Sequence, residues 1–302
     1  MSILETPTPK ESKVPAQPSP PLSGKALGLR LRSSLQQLLA FGSLIVLVVF
    51  FGVMNSRFLL PGNLSDILLS TVVIGLLALG ATFVIITGGI DLSVGTGMSL
   101  CSVMVGVVLT YLGLPMWAGV VGGILMGALI GAVNGFLISF LKIPPFIATL
   151  ATMLVAQGMA LVVSGTKPIY FTGTEGFSNL ALGKPIAGLV IPNAVFIFFA
   201  AATIAGVVLA GVIIAARLNS AQPGQGMGYE LQAIAAVVIG GTSLAGGKGS
   251  IVGTVIGALI MSVLTNGLRI ISVPQEWQNV AIGVVILVAV YLDMLRRKEA
   301  AT

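Results

Sequence analysis

Two short and closely similar stretches interrupt long apolar runs of this chain, and they constrain its fold more than any other feature. The first reads GGIDLSVG over residues 88–95, and the second reads GGTSLAGG over residues 240–247. Inside a bilayer, backbone that leaves the helical hydrogen-bond pattern persists only where protein or a water-filled cavity surrounds it. The matching breaks therefore predict an internally repeated membrane protein with a solute pathway beside them.

The composition excludes an ordinary soluble domain. Of the 302 residues, 56% are hydrophobic and 8% are charged, and the mean hydropathy is +1.08. Between Arg32 and Arg57 lie 24 uncharged residues, enough for a helix to cross a hydrocarbon core of about 30 Å. We predict an all-α polytopic membrane protein with about eight spanning helices plus a broken or re-entrant segment. The predicted spans are 36–56, 64–87, 94–113, 116–140, 145–165, 190–216, 249–268 and 277–294.

Basic residues mark both ends of the chain. Residues 1–33, rich in Pro and Ser, are predicted to form a disordered basic tail, residues 34–295 the transmembrane domain, and residues 296–302 a second basic tail. Because Lys and Arg are enriched in cytoplasmic segments, we place both tails in the cytoplasm. Ends on the same side require an even number of crossings, which eight spans provide only if residues 231–247 are re-entrant.

Enzymatic, metal-binding and nucleic-acid-binding functions find no support. Cys101 is the only cysteine and there is no His, so an internal disulfide, the usual transition-metal sites and a catalytic triad all lack essential residues. A phosphate-binding loop fails because Thr242 stands at its first glycine and Gly249 at its final Ser or Thr. The net charge of +6 lies in loops and tails rather than in a nucleic-acid patch. We predict no catalytic residue, no metal, no cofactor and no nucleic-acid partner.

Glycines recur at every fourth position along two of the predicted helices. Small residues let helix backbones approach closely in lipid, so we interpret these glycines as helix contacts rather than solute ligands. For Asn134 and Asn266, near the ends of the same helices, we favour buried interhelical hydrogen bonds, with a pathway role as the alternative. The glycines are Gly119, Gly123, Gly127, Gly131 and Gly135 in one helix and Gly249, Gly253 and Gly257 in the other.

Asp91 is the only acidic residue between Asp66 and Glu175. An ionisable group at membrane depth is a functional candidate, so Asp91 is expected to line or gate the pathway. In the alternative interpretation, Asp91 or Ser93 caps the helix that begins after the first break by accepting a backbone N–H. The two roles are compatible, because transporter sites are often built at helix ends that point into a cavity.

Five motifs resemble the membrane permeases of ribose-type monosaccharide ABC importers, a family that includes the autoinducer-2 importer permeases. Together the matches extend from about Phe58 to Asp293. The strongest match is AIAAVVIGGTSLAGG over residues 233–247. The other matching motifs are TGGIDLSVG at 87–95, PFIATL at 145–150, SAQP at 220–223 and GYEL at 228–231.

The resemblance implies a permease subunit of the bacterial inner membrane. It implies a second permease chain as partner, two cytoplasmic ABC ATPase domains that drive transport, and a periplasmic sugar-binding protein that delivers a monosaccharide. By motif position, Asp91, Ser93, Thr242 and Ser243 are the residues expected along the translocation pathway. The permease itself would not be an enzyme.

The chain departs from this family between Phe199 and Gly206. Relatives carry several tens of additional residues here, including the cytoplasmic loop that docks on the ATPase. Here residues 190–216 form one unbroken apolar run, the length of a single tilted helix. Losing one crossing predicts either a re-entrant 231–247 segment or an inverted second half. An ATPase-independent carrier or channel and a coupling-deficient, nonproductive variant are the alternative functions.

Overall fold

The computed structural model describes residues 24–171, 176–184, 191–195, 213, 217–218, 220–247 and 249–301. Helices dominate this part of the chain, and proline or serine begins several of them. Pro61 and Pro145 occupy first-turn positions, where a missing N–H costs nothing, and Ser250 accepts the N–H of Gly253 at 3.1 Å. Gly165, with a φ of +63°, ends its helix in the left-handed conformation.

The helices in chain order are α1 (Gly24–Met54), a 3-10 turn (Ser56–Leu59), α2 (Pro61–Ile86), α3 (Val94–Gly106, continued by a π-helical turn over Val107–Tyr111), α4 (Met116–Ser139), α5 (Pro145–Ser164), α6 (Asn179–Leu182), α7 (Tyr229–Ile239), α8 (Ile251–Ile270) and α9 (Gln275–Ala301). Two short strands, β1 (Ile169–Tyr170) and β2 (Ser220–Ala221), pair antiparallel.

Six helices of the described residues are long and apolar enough to cross a membrane, which confirms the polytopic helical fold. They coincide with the predicted spans to within a few residues, and α9 covers the last span with an apolar stretch from Gln275 to Tyr291. The predicted helix at 190–216 lies almost wholly outside the described residues, as does the departure between Phe199 and Gly206. The small two-stranded sheet was not predicted.

Two hydrogen bonds fix the relative direction of α1 and α8. The Gln37 amide donates to the Ser250 hydroxyl at 2.8 Å, where the apolar span of α1 and helix α8 begin. The Asn55 amide donates to the carbonyl of Ile270 at 3.0 Å where they end. We call the first of these the tail end of the bundle and the second the far end. Helix α2 runs back from the far end, and α9 returns from it after a four-residue turn, so the start of α1 and the end of α9 both lie on the tail-end side.

Close backbone contact joins α7 to α8. A Cβ added to Gly253 would collide with the carbonyl oxygen of Gly240, and one added to Gly257 would collide with that of Ala236. A buried hydrogen bond of 2.9 Å between the hydroxyls of Thr82 and Thr254 then ties α8 to α2. Helices α2, α7 and α8 therefore form the tightest part of the fold, as small residues permit in lipid.

The glycines of α4 have unequal surroundings. A Cβ on Gly119 would lie 2.6 Å from Leu109 of α3, and Gly123 is buried, whereas Gly127 is half-buried. Gly131 and Gly135 are exposed and have no heavy atom within 4 Å of an added Cβ. Along the second stripe, Gly249 contacts the side chain of Ile86, and Gly253 and Gly257 make the contacts with α7 just described.

Residues 220–247 connect the far end of the bundle to the tail end. Strand β2 lies at the far end, because Ala221 contacts Gly106 late in α3, whereas Gly247 contacts Ile86 at the tail end. Helix α7 has 11 residues and spans only about 16 Å, so the non-helical residues 222–228 before it cover the rest of the distance. The segment is thus a broken crossing, in place of the predicted re-entrant one.

The pairing of β1 with β2 also explains why the second half is not inverted. Both strands lie at the far end, so the chain between them makes no net crossing. Within the described part of the chain, the five helices before β1, the broken crossing, α8 and α9 account for eight crossings, an even number. The chain can therefore have eight spans with both tails on the same side, and no re-entrant segment is needed.

Replacing Gly253 by Ala should destabilise the protein, because the new Cβ would overlap the carbonyl oxygen of Gly240. Ala is otherwise the better helix former by about 1 kcal/mol. The matched Gly131→Ala, made in open space, should therefore leave the Tm of the detergent-solubilised protein unchanged or raise it. Overpacking costs about 1–3 kcal/mol, so Gly253→Ala should lower the Tm by several degrees. Equal Tm changes in the two variants would contradict the close contact.

Cysteines at positions 222 and 245 should react with an impermeant maleimide from opposite sides of the membrane, because residues 220–247 cross it. Exposed Tyr170, in the strand paired with β2, provides a third position, and Tyr170→Cys should label from the same side as Gln222→Cys. The unmodified chain is the control, since Cys101 is buried. Labelling of positions 222 and 245 from one side would restore the re-entrant topology.

Candidate functional site

Both breaks are irregular backbone. After α2 ends at Ile86, Gly88 adopts a φ of +81°, a conformation that glycine takes without a Cβ penalty. After α7 ends at Ile239, Gly241 has a φ of +94°, and Gly246 and Gly247 have φ values of +82° and +78°. The chain re-enters helix at Val94 in the first case and at Ile251 in the second.

The two breaks contact each other directly. The N–H of Gly247 donates to the carbonyl of Ile86 at 2.8 Å. A Cβ added to Gly246 would lie 2.9 Å from that same carbonyl and 3.1 Å from the nitrogen of Gly88. Because backbone meets backbone here without a side chain between, the breaks form one structural unit, which we call the break junction (residues 86–93, 240–247 and 249–250).

A chain of polar side chains anchors the first break to α4 and α5. The N–H and the hydroxyl of Ser93 both donate to Asp91 Oδ1, at 2.8 and 2.6 Å. Asn134 Nδ2 donates to Ser93 Oγ at 3.0 Å, and the hydroxyl of Thr152 donates to Asn134 Oδ1 at 2.6 Å. These four residues form a continuous hydrogen-bonded network across three helices.

Thr149 adds a second attachment to the same break. Its hydroxyl contacts the carbonyl of Ile90 at 3.1 Å and accepts the N–H of Leu92 at 3.2 Å. Asn134 lies five residues before the end of α4 and Thr152 seven residues after the start of α5, which places the network about 8–10 Å inside the helix ends. Polar groups at this depth need internal partners, and the network supplies them.

Asp91 lies just before α3 and makes a hydrogen bond at its start. It accepts the N–H of Ser93, the residue that precedes the first turn of α3, whereas Ser93 makes no side-chain cap of its own. The carboxylate is half-buried, and no ion pair within the described residues includes it. The positive end of the α3 dipole favours its charge, so Asp91 interacts with the start of the helix, and its place along the pathway stays a prediction.

Thr242 and Ser243 hold the second break. Thr242 is buried, and its Oγ1 accepts the N–H of Ser250 at 3.4 Å across the loop. Ser243 is half-buried, and its carbonyl accepts the N–H of Gly246 at 3.0 Å. The structure brings the two breaks together, but no hydrogen bond among the described residues joins Asp91 or Ser93 to Thr242 or Ser243.

The start of α3 also contacts the segment before α7. A Cβ on Gly95 would collide with the carboxylate of Glu230 and with the carbonyl of Gly226, whose own N–H donates to Ser99 Oγ at 2.6 Å. Sequence reasoning missed this contact, although GYEL and the first break are both motifs of the resemblance. Thr149 likewise lies in the PFIATL motif without an assigned role.

The two asparagines singled out in the sequence differ in their partners. The interhelical hydrogen bonds of Asn134 confirm the structural interpretation for that residue. The buried Oδ1 of Asn266 has no hydrogen-bond partner in the described part of the chain. Those residues also contain no group of three His, Cys, Asp or Glu side chains able to hold a metal.

Comparison with known proteins gives consistent matches. Residues 63–182 and 190–290 match the family described as branched-chain amino acid transport system / permease component. The chain is 42% identical to the ribose import permease protein RbsC of Bacillus subtilis, over 88% of this chain and 94% of the relative.

Two further relatives come from Escherichia coli K12. Its RbsC is 38% identical over 83% of this chain and 91% of the relative, and its D-allose transport system permease protein AlsC is 35% identical over 85% and 91%. No solved structure matches the chain. The family match covers most of the transmembrane helices, and the relatives align over nearly their whole length. The chain therefore belongs to this family of membrane transport permeases.

Proposed function

We propose that this chain is the permease subunit of an ATP-driven importer of a monosaccharide or a related signal molecule. The observation that carries the proposal is the extended similarity to permeases whose names specify ribose and D-allose transport. The chain would reside in a bacterial inner membrane with both tails in the cytoplasm. Its partners would be an ABC ATPase, a periplasmic sugar-binding protein and a second permease chain.

We place the translocation pathway beside the break junction, with Asp91, Ser93, Thr242 and Ser243 along it. Irregular backbone inside a membrane protein is tolerated where it lines a cavity, and half-helix ends are the usual places for solute contact. Glycines at positive φ can change their backbone conformation without a Cβ penalty. The junction is accordingly the element most able to rearrange when the pathway opens to one side.

A coupling-deficient variant remains the second candidate function. The alignment with the Bacillus subtilis relative has 308 positions but covers 88% of the 302 residues, so about 42 positions have no counterpart in this chain. That number agrees with the several tens of residues inferred to be lost near Phe199 and Gly206. Without the loop that docks on the ATPase, the chain would insert into the membrane but would not transport a solute.

Uptake of labelled D-ribose should depend on an ATPase partner. The chain would be expressed with the ABC ATPase and the sugar-binding protein encoded beside it, and compared with the same cells in which the Walker lysine of the ATPase is replaced. We expect uptake to fall to background in the second strain and the ATPase to copurify with the chain.

A graft separates the alternatives. Insertion of the corresponding Bacillus subtilis segment between Phe199 and Gly206 should leave uptake unchanged if coupling is intact. Uptake that appears only after the graft identifies the coupling-deficient variant, and uptake that survives loss of the Walker lysine identifies a carrier or channel. Either result would overturn the proposed importer.

Replacing Thr152 by Val should lower both stability and uptake, because it leaves Asn134 Oδ1 without its donor. The matched control is Thr71→Val. Thr71 and Thr152 are both 7% exposed, but the Thr71 hydroxyl bonds only its own helix, at Ile67. Interhelical bonds of this kind contribute about 0.6–2 kcal/mol, so the Tm should fall by a few degrees in Thr152→Val alone. Equal behaviour of the two variants would show that the network does not hold the break.

A further inference from the structure

A polar cavity of about 670 Å³ lies toward the far end of the bundle, away from the break junction. Residues of α2, α8 and α9 line it, together with residues of the stretches 217–218 and 225–232. Its lining includes Thr265 and Arg269 from the end of α8 and Gln275 from the start of α9, which place it on the far-end side of the bundle. A volume of this size falls within the range of small-molecule sites, about 300–1,000 Å³.

Carboxamides dominate the polar lining of this cavity. A carboxamide offers two donors and an acceptor in fixed geometry, so it matches hydroxyl groups, which also donate and accept. The side chains of Gln225 and Gln232 are half-buried and have no hydrogen-bond partner among the described residues. Their hydrogen-bonding capacity is therefore available to a ligand. The five carboxamides are Gln225, Gln232, Gln275, Gln278 and Asn279.

The charges of the cavity suit a neutral ligand. No carboxylate is among the lining residues of the described chain, so a cation would lack a counter-charge. Arg217 is paired with Asp66 at 3.8 Å and donates to the Ser70 hydroxyl at 3.2 Å. Arg269 lies in the last turn of α8, where the negative end of the helix dipole offsets part of its charge. Ile74, Ile282 and Ile286 add an apolar wall.

We propose that this cavity binds a neutral, polyhydroxylated solute of monosaccharide size, with Gln225 and Gln232 as its main hydrogen-bonding residues. The inference rests on the proposed function for its orientation, because cytoplasmic tails put the far end on the periplasmic side. Sequence reasoning did not find these carboxamides, since they come from two separate regions, 225–232 and 275–279, that only the fold brings together.

The segment that lines the cavity also contacts the first break. Gln225, Tyr229 and Gln232 line the cavity, whereas Gly226 and Glu230, which lie between them, contact the start of α3 at Gly95. One stretch of backbone thus has the cavity on one side and the helix that follows the first break on the other. The cavity is therefore positioned to receive a solute before it reaches the break junction.

Binding can be measured on the full chain alone in phosphatidylglycerol-containing nanodiscs. Saturation-transfer NMR with D-ribose, D-allose and D-xylose should detect binding of at least one of these sugars and give its Kd. Gln232→Leu should weaken the Kd about fivefold to tenfold, since a buried hydrogen bond is lost. The matched control is Gln157→Leu on α5, because Gln157 is also half-buried but lies outside the cavity. Its Kd should equal that of the unmodified chain.

A second variant guards against misfolding of Gln232→Leu. Modification of Gln225→Cys by a maleimide should be slowed at least about threefold by the bound sugar, and native Cys101 is buried and does not interfere. Absence of sugar binding, equal loss in Gln157→Leu, no protection of position 225, or tighter binding of D-ribose 5-phosphate than of D-ribose would overturn the proposal. Since neither the ATPase nor uptake enters this measurement, its outcome is independent of the importer test.

Discussion

The backbone contact between the two breaks is the constraint on which the rest of the structure depends. Every N–H and C=O that leaves the helical pattern inside the membrane must find a partner in the protein. The N–H of Gly247 finds the carbonyl at the end of α2, so each break helps to satisfy the other. This contact requires the two backbones to approach closely, and the absence of a side chain at Gly246 leaves room for that approach. The internal repeat is thus used structurally, because its two copies meet.

Close backbone contacts at glycines also hold helices together elsewhere in the bundle. Gly240 against Gly253 and Gly257 against Ala236 hold α7 on α8, and Gly95 against Gly226 holds the segment before α7 on α3. A shift of α7 would therefore displace α8, which it contacts directly, and also the residues next to the first break. Since the lining of the polar cavity includes residues from the same segment, a few residues of backbone connect the cavity to the start of α3, next to the break junction.

Much of the fold could be predicted from the sequence, because an apolar run long enough to cross a bilayer is expected to form a helix. Charge spacing located the spans to within a few residues, and the glycine pairs located both breaks. The attachment of Ser93 to Asn134 and Thr152 could not be predicted, since it depends on the rotation of α4 and α5 about their axes. The broken crossing at residues 220–239 was missed for a related reason: a two-residue strand and a series of turns precede its helix, and neither leaves a periodic pattern.

The pairing of β1 with β2 makes the fold independent of the loop that is expected to dock on an ATPase. These strands fix the two ends of the intervening chain side by side at the far end, where Ala221 contacts Gly106. A shorter connection between β1 and β2 would therefore be compatible with the observed positions of α3, α7 and α8. Contacts within the break junction also involve only residues on either side of that connection. A chain without the docking loop can accordingly retain its pathway elements, so loss of coupling and loss of the pathway are physically distinct events.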